Sequence, residues 1–314
     1  GLSAERFAAL QLDRQFQPMS LAKIAQMDEK YIHSAFRQAG LNKYLDKPGI
    51  GTAAIKPIEL SYGLDKLEQA AVARVFEAQS TATKAAQWAI DNNLADFADY
   101  TELDPVVFNA CNQSLYNHIE RYPALRENQK FIGTMKAQFA LWRKYEVQRM
   151  VIWLKNKYPD MDDVTALAKA EKIVGLPRGG QNVYAHSWDH EDVRGIGVNL
   201  KFGRDSEKFL KLMEEDVKAG WHPADCASIK SMIDHEFGHQ LDTLLGLKTD
   251  KEMRSLFRKG KPFIEENLSG YAMENIQEMI AEGWSEYLNS RTPRPLAKQI
   301  GEIIEKRYKA RYPS

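Results

Sequence analysis

His235-Glu236-Phe237-Gly238-His239 is the stretch on which the fold turns. Around it Ile229, Met232, Ile233, Phe237, Leu241, Leu244 and Leu245 recur at three- and four-residue steps, which predicts a helix with one buried face. On a helix, His235 and His239 project from one side, one turn apart, so two imidazole nitrogens can bind one zinc ion. Glu236 points to the edge of the same site, where it can deprotonate a water activated by the metal. Gly238 costs the helix about 1 kcal/mol against Ala, so a glycine here suggests that something passes close to the helix. Asp234 and Asp242 are candidates to orient the ligating imidazoles as hydrogen-bond acceptors.

The chain has 314 residues, enough for two modest domains or one large one. With 44% hydrophobic and 27% charged residues it has the composition of a soluble globular protein. The 43 basic residues are matched by 43 acidic ones, so bulk charge argues against nucleic acid or an anionic membrane as partner. No apolar run is long enough to span a bilayer, and Gly1–Met19 mixes charges with apolar residues, unlike a signal peptide. The initial Gly reads as a cleavage scar or a mature start, compatible with a removed targeting segment. Cys111 and Cys226 are far apart and outside any C-x-x-C pair, so two free buried thiols are expected.

The expected fold class is mainly α (α+β), in two domains. Residues 1–160 read as an all-helical domain of unknown role, with helices over Ser3–Lys43, Leu64–Asn92, Asp104–Tyr122 and Asn128–Lys157. His33 and His118 sit alone in that half and read as surface or capping residues. Residues 161–314 read as the domain that carries the chemistry, with a small mixed sheet. Strands are expected over Asn182–Ala185 and Gly195–Phe202, the second opened by Gly195 and Gly197, which leave room for another backbone alongside. In zinc peptidases a strand just upstream of the metal helix commonly forms the sheet edge on which a substrate peptide adds. That makes Val198, Asn199 and Leu200 the expected substrate strand. His186 and His190 are four apart but in a loop-like context, which does not suit a second metal site.

Two histidines leave a zinc peptidase site one protein ligand short. Asp242 and Leu245 stand where the metzincin extension would need Gly and His, and no His follows His239. The third ligand is therefore an acid or an upstream residue. The helix expected near 274–288 offers Glu274, Glu278, Glu282 and Glu286 at four-residue spacing, a stripe that alone would be a solvated acidic face.

His235-Glu236-Phe237-Gly238-His239, followed by Tyr271 and then by Glu278-Met279-Ile280-Ala281-Glu282, resembles the catalytic domain of anthrax lethal factor and the related Pro-Pro endopeptidases, where a Tyr lies seven residues before a liganding Glu. The resemblance covers roughly residues 180–300 and implies a zincin-like metallopeptidase domain with one Zn2+ per chain. It implies that His235, His239 and Glu278 are the zinc ligands and that Glu236 is the general base. Tyr271 would be the phenol that hydrogen-bonds the oxyanion or leaving group, and Glu282 an acid behind the ligands. The phrases at 235–242, 281–288 and 293–297 are also similar to metallopeptidase-like domains of bacteriophage minor head proteins. The expectation is a zinc endopeptidase acting on a protein or peptide, with residues 1–160 free to engage a protein partner. Competing expectations are a virion or other structural protein, in which Glu282 or His222 closes the zinc shell, and a secreted effector protease. The compartment is not set by the sequence.

Overall fold

Short polar residues fix where most elements begin. In the computed structural model, which describes residues 76–177 and 182–313, the Thr81 hydroxyl accepts the Lys84 N–H and opens α1 (Ala82–Asp91), followed by β1 (Phe97–Asp99). Asp104 caps α2 (Pro105–Arg121), whose first turn carries Pro105. A 3-10 turn over Pro123–Asn128 leads to β2 (Phe131–Thr134), all four residues buried, and Thr134 caps α3 (Met135–Lys157). Helix α4 (Asp163–Ile173) folds back on α3 around Val147, Leu154 and Ala170. Then come β3 (Ala185–Trp188), β4 (Gly195–Val198), the single turn α5 (Leu200–Gly203) and α6 (Ser206–Lys218). The motif helix α7 (Ile229–Leu245) opens with a capping box between Ser228 and Ser231. Helices α8 (Lys251–Phe257), α9 (Lys261–Asn267), α10 (Ile276–Asn289) and α11 (Pro295–Arg311) complete the chain.

The described residues are thus mainly helical with one small mixed sheet, in the order β1-β2-β4-β3. Strands β1, β2 and β4 run parallel, with Phe131 opposite both Phe97 and Gly195. Strand β3 is antiparallel to β4 and forms an edge. Helix α7 packs against α10, α2 and β3, and its Ile233, Phe237 and Leu241 share one core with Leu115, Ile280 and Trp284. None of the described helices is long and apolar enough to cross a membrane. Both cysteines are free and buried.

Several expectations need correcting. The region read as all-helical supplies β1 and β2 to the same sheet as β4, so the sheet crosses residue 160, and residues 76–314 group as one compact unit. The helix expected from Asn128 begins only at Met135, because Phe131–Thr134 is a fully buried strand whose Phe131 stands four residues before Met135 and so imitates the start of the helical stripe. Strand β3 covers 185–188 rather than 182–185, and Leu200 starts a helical turn capped by the Asn199 side chain. His118 is buried, not on the surface. It stacks on Phe237 with centroids 4.1 Å apart and accepts the Trp284 indole N–H at 3.1 Å. The helices expected over Ser3–Lys43 and the first part of Leu64–Asn92, together with His33, lie outside the described residues.

Candidate metal centre

The geometry of the site begins at Gly238. A Cβ there would lie 2.6 Å from Ala281 Cα, so the absent side chain lets the backbones of α7 and α10 touch. Ala281 is three residues past Glu278, and this close crossing lays the Glu278 carboxylate over the histidine pair. The rings of His235 and His239 are 4.9 Å apart and nearly perpendicular. Glu278 Oε2 sits 3.2 Å from His235 Nε2 and 3.3 Å from His239 Nε2. It is buried, yet neither contact is an aligned hydrogen bond. Four ligands around zinc, with bonds of about 2.0 Å, have neighbouring donor atoms about 3.3 Å apart. The spacing and the N, N, O donor set therefore fit a zinc ion, and the orphaned Oε2 is an atom such an ion would satisfy.

The electrostatics point to a cation as well. Burial penalises the charged forms of these groups, but the neighbours outweigh it at two of them. His235 is held well above the usual histidine range by Glu278, Glu282 and Glu236. Glu278 is held far below the usual carboxylate range by His235 and His239. Glu236, 6% exposed, behaves differently: burial raises its carboxyl above the usual range, opposed by His235 and His239. The backbone N–H of Ser187 on the edge strand β3 faces this carboxyl and also works against the rise. A carboxyl pushed upward by burial beside two imidazoles suits a general base.

Tyr271 stacks beside His235, with centroids 5.8 Å apart, and its phenol faces the Glu278 carboxylate. Burial raises its phenol, with Glu278, Glu236 and Glu282 adding to the rise, so it stays a proton donor. Glu282 is buried behind His235, with Oε1 2.7 Å from Nδ1 though off the N–H axis. Its carboxyl is lowered to about 2 because His222 and His235 more than offset its burial. Beside the centre lies a cavity of about 310 Å³ with an apolar wall from Val183, Phe202, Met213 and Met232, lined also by His235, Glu236 and Tyr271.

His235, Glu236, His239, Tyr271, Glu278 and Glu282 are thus brought together. Asp242 is not: it accepts the Lys248 N–H at 2.6 Å beyond the end of α7 and contacts neither imidazole, because it faces the turn that leaves the helix. Asp234 is occupied by Ser114, Lys230 and Asn289 on the opposite side of α7. The substrate strand is also misplaced. Val198 lies in β4, which is flanked by β2 and β3, and the room beside Gly195 is filled by the backbone of Phe131. Gly195 has φ +143°, a conformation few other residues adopt. Asn199 and Leu200 belong to the following helical turn, so among the described residues the sheet edge next to β4 is β3, with β1 at the far side. His186 hydrogen-bonds Gln138, and His190 joins Glu146 and Asp192 around Arg149, whose guanidinium already supplies the cation there.

The sequence reading missed Ser187, Ser269 and the position of His222. Ser187 acts through its backbone N–H, which no side-chain pattern reveals, and a lone His ahead of a helix carries no spacing to read. Comparison of the chain with protein-family models, with curated proteins and with solved structures found no match.

Proposed function

We propose that the chain is a zinc-dependent endopeptidase with a zincin-like site. The observation that carries this reading is Glu278 Oε2 standing 3.2 and 3.3 Å from the Nε2 atoms of His235 and His239, with Glu236 beside them and the sheet edge β3 alongside. His235, His239 and Glu278 would hold Zn2+, and the ion supplies Lewis-acid polarisation of the carbonyl and acidification of water. Glu236 takes the proton of the attacking water and later delivers it to the leaving nitrogen. Tyr271 donates a hydrogen bond to the oxygen on which charge develops. The substrate backbone adds antiparallel to β3, whose outer side pairs with no other strand among the described residues, and the neighbouring cavity receives one of its side chains. A purely structural zinc would need a fourth protein ligand. Glu282 and His222 stand on the Nδ1 side of His235, outside the ligand cluster, which favours the open, catalytic reading.

The test is metal content by mass spectrometry together with cleavage of a peptide library. The wild type should carry about one zinc per chain, and Glu278→Ala should lose it. Glu236→Gln should keep the zinc and lose roughly a thousandfold in kcat. A wild type that takes up no zinc after incubation with the ion would sink the proposal. Zinc bound without cleavage of any peptide would leave only the structural alternative.

A further inference from the structure

His222 lies in the segment before α7 and is not part of the ligand cluster. Two backbone hydrogen bonds fix that segment beside the turn that carries Tyr271: Gly270 N–H to Gly220 O at 2.8 Å and Tyr271 N–H to Trp221 O at 3.0 Å. The His222 ring meets Tyr271 edge to face at 5.6 Å. Its Nδ1 lies 3.2 Å from Oε1 and 3.3 Å from Oε2 of Glu282, so it straddles both oxygens. Oε2 also accepts the Ser269 hydroxyl at 2.8 Å, and Oε1 lies 2.7 Å from His235 Nδ1. One carboxylate, 1% exposed, is therefore faced by donors from three separate segments.

A ligating imidazole needs its second nitrogen held, because that contact sets which way the ligating nitrogen points. Glu282 is the group placed to do this for His235, with Oε1 2.7 Å from Nδ1. With Ser269 alone behind it, the carboxylate could pivot about a single hydrogen bond. His222, touching both oxygens, removes that freedom. We propose that His222 is a positioning residue of the metal centre: it clamps Glu282, and Glu282 fixes the ring of His235 with Nε2 turned toward Glu278. The proposal rests on reading His235, His239 and Glu278 as a metal centre.

The experiment uses the full chain, stripped of metal and titrated with Zn2+ against a chromophoric chelator, with Co2+ absorption as a second readout. Four proteins are compared: wild type, His222→Ala, His222→Phe and His222→Asn. Phe keeps the ring that packs on Tyr271 but lacks the donor, whereas Asn keeps a donor near the Nδ1 position and lacks the ring. Ala and Phe should bind zinc roughly tenfold more weakly and shift the cobalt bands, and Asn should recover most of the affinity. Melting of the metal-free variants shows whether each is folded. Equal zinc affinity in all four proteins would overturn the clamp. So would a Phe variant that matches wild type while Ala and Asn weaken, since packing would then be the role of the ring. A wild type that binds no zinc would instead remove the metal centre itself, and the clamp with it.

Discussion

Gly238 shows how one missing side chain sets the geometry of the centre. A methyl group there would meet Ala281 Cα at 2.6 Å, and a backbone atom has no rotamer by which to move aside. By propensity alone, Gly238→Ala should stabilise α7 by about 1 kcal/mol. Overpacking against a helix backbone costs about 1–3 kcal/mol and acts in the opposite direction. With the backbone unable to yield, the clash should outweigh the gain in propensity, so Gly238→Ala is expected to lower the melting temperature by several degrees. It should also weaken zinc binding, because parting α7 from α10 carries Glu278 away from the two imidazoles. A calorimetric melt and a zinc titration check both. A variant as stable as wild type would mean that the helices do not touch at this point.

Within α10 the glutamates at four-residue spacing meet different fates. Glu274 precedes the helix, Glu278 reaches the histidines and Glu282 backs His235. Glu286, 1% exposed, turns away to the N-terminus of α11. There it accepts the Arg294 backbone N–H at 2.8 Å and the guanidinium at 2.6 and 3.0 Å. Removing one partner of a buried pair costs about 3–5 kcal/mol, and the partial exposure of Arg294 places this pair at the lower end of that range. Glu286→Ala should therefore lower stability in a denaturant titration yet leave zinc content unchanged, whereas Glu278→Ala should show the reverse pattern. Loss of zinc in Glu286→Ala would mean that α10 cannot hold its position without the α11 staple. Legibility follows the same lines. The placement of His235, Glu236 and His239 was readable because a helix puts residues four apart on one face. Which glutamate faces the histidines was not legible in the regular stripe itself, only in the family resemblance, because it is the crossing at Gly238 and Ala281 that brings Glu278 over them. The sheet edge was misassigned because Gly195 and Gly197 announce a close backbone without saying whose it is. Asp242 was misread because its neighbour lies in the turn beyond the helix, not across the site.

At the scale of the whole molecule, the motif helix is held by parts drawn from both sides of residue 160. Strand β4 is paired by β2 from before that point and by β3 from after it, and His118 of α2 stacks on Phe237 inside the motif. The texture of the sequence suggests cutting the chain at 160. The packing predicts that such a cut destroys the fold. Val107, Phe108, Leu115, Leu125 and Ile132 are each at most 1% exposed in the core they share with α7 and α10. Burying a side chain of this kind contributes about 1.5–3 kcal/mol, so together the five supply about 7–15 kcal/mol, as much as the whole net stability of a typical domain. A fragment of residues 161–314 would lose that contribution and leave the β2-facing edge of β4 unpaired. It is expected to show no cooperative melt and no stoichiometric zinc binding. Residues 76–314 form one compact unit and keep every described strand of the sheet and the core of the site, so that fragment should melt cooperatively and bind zinc as the full chain does. Circular dichroism melts and a zinc titration on the two fragments decide the matter. A cooperative, zinc-binding 161–314 fragment would mean that β1, β2 and α2 lie against the site without supporting it.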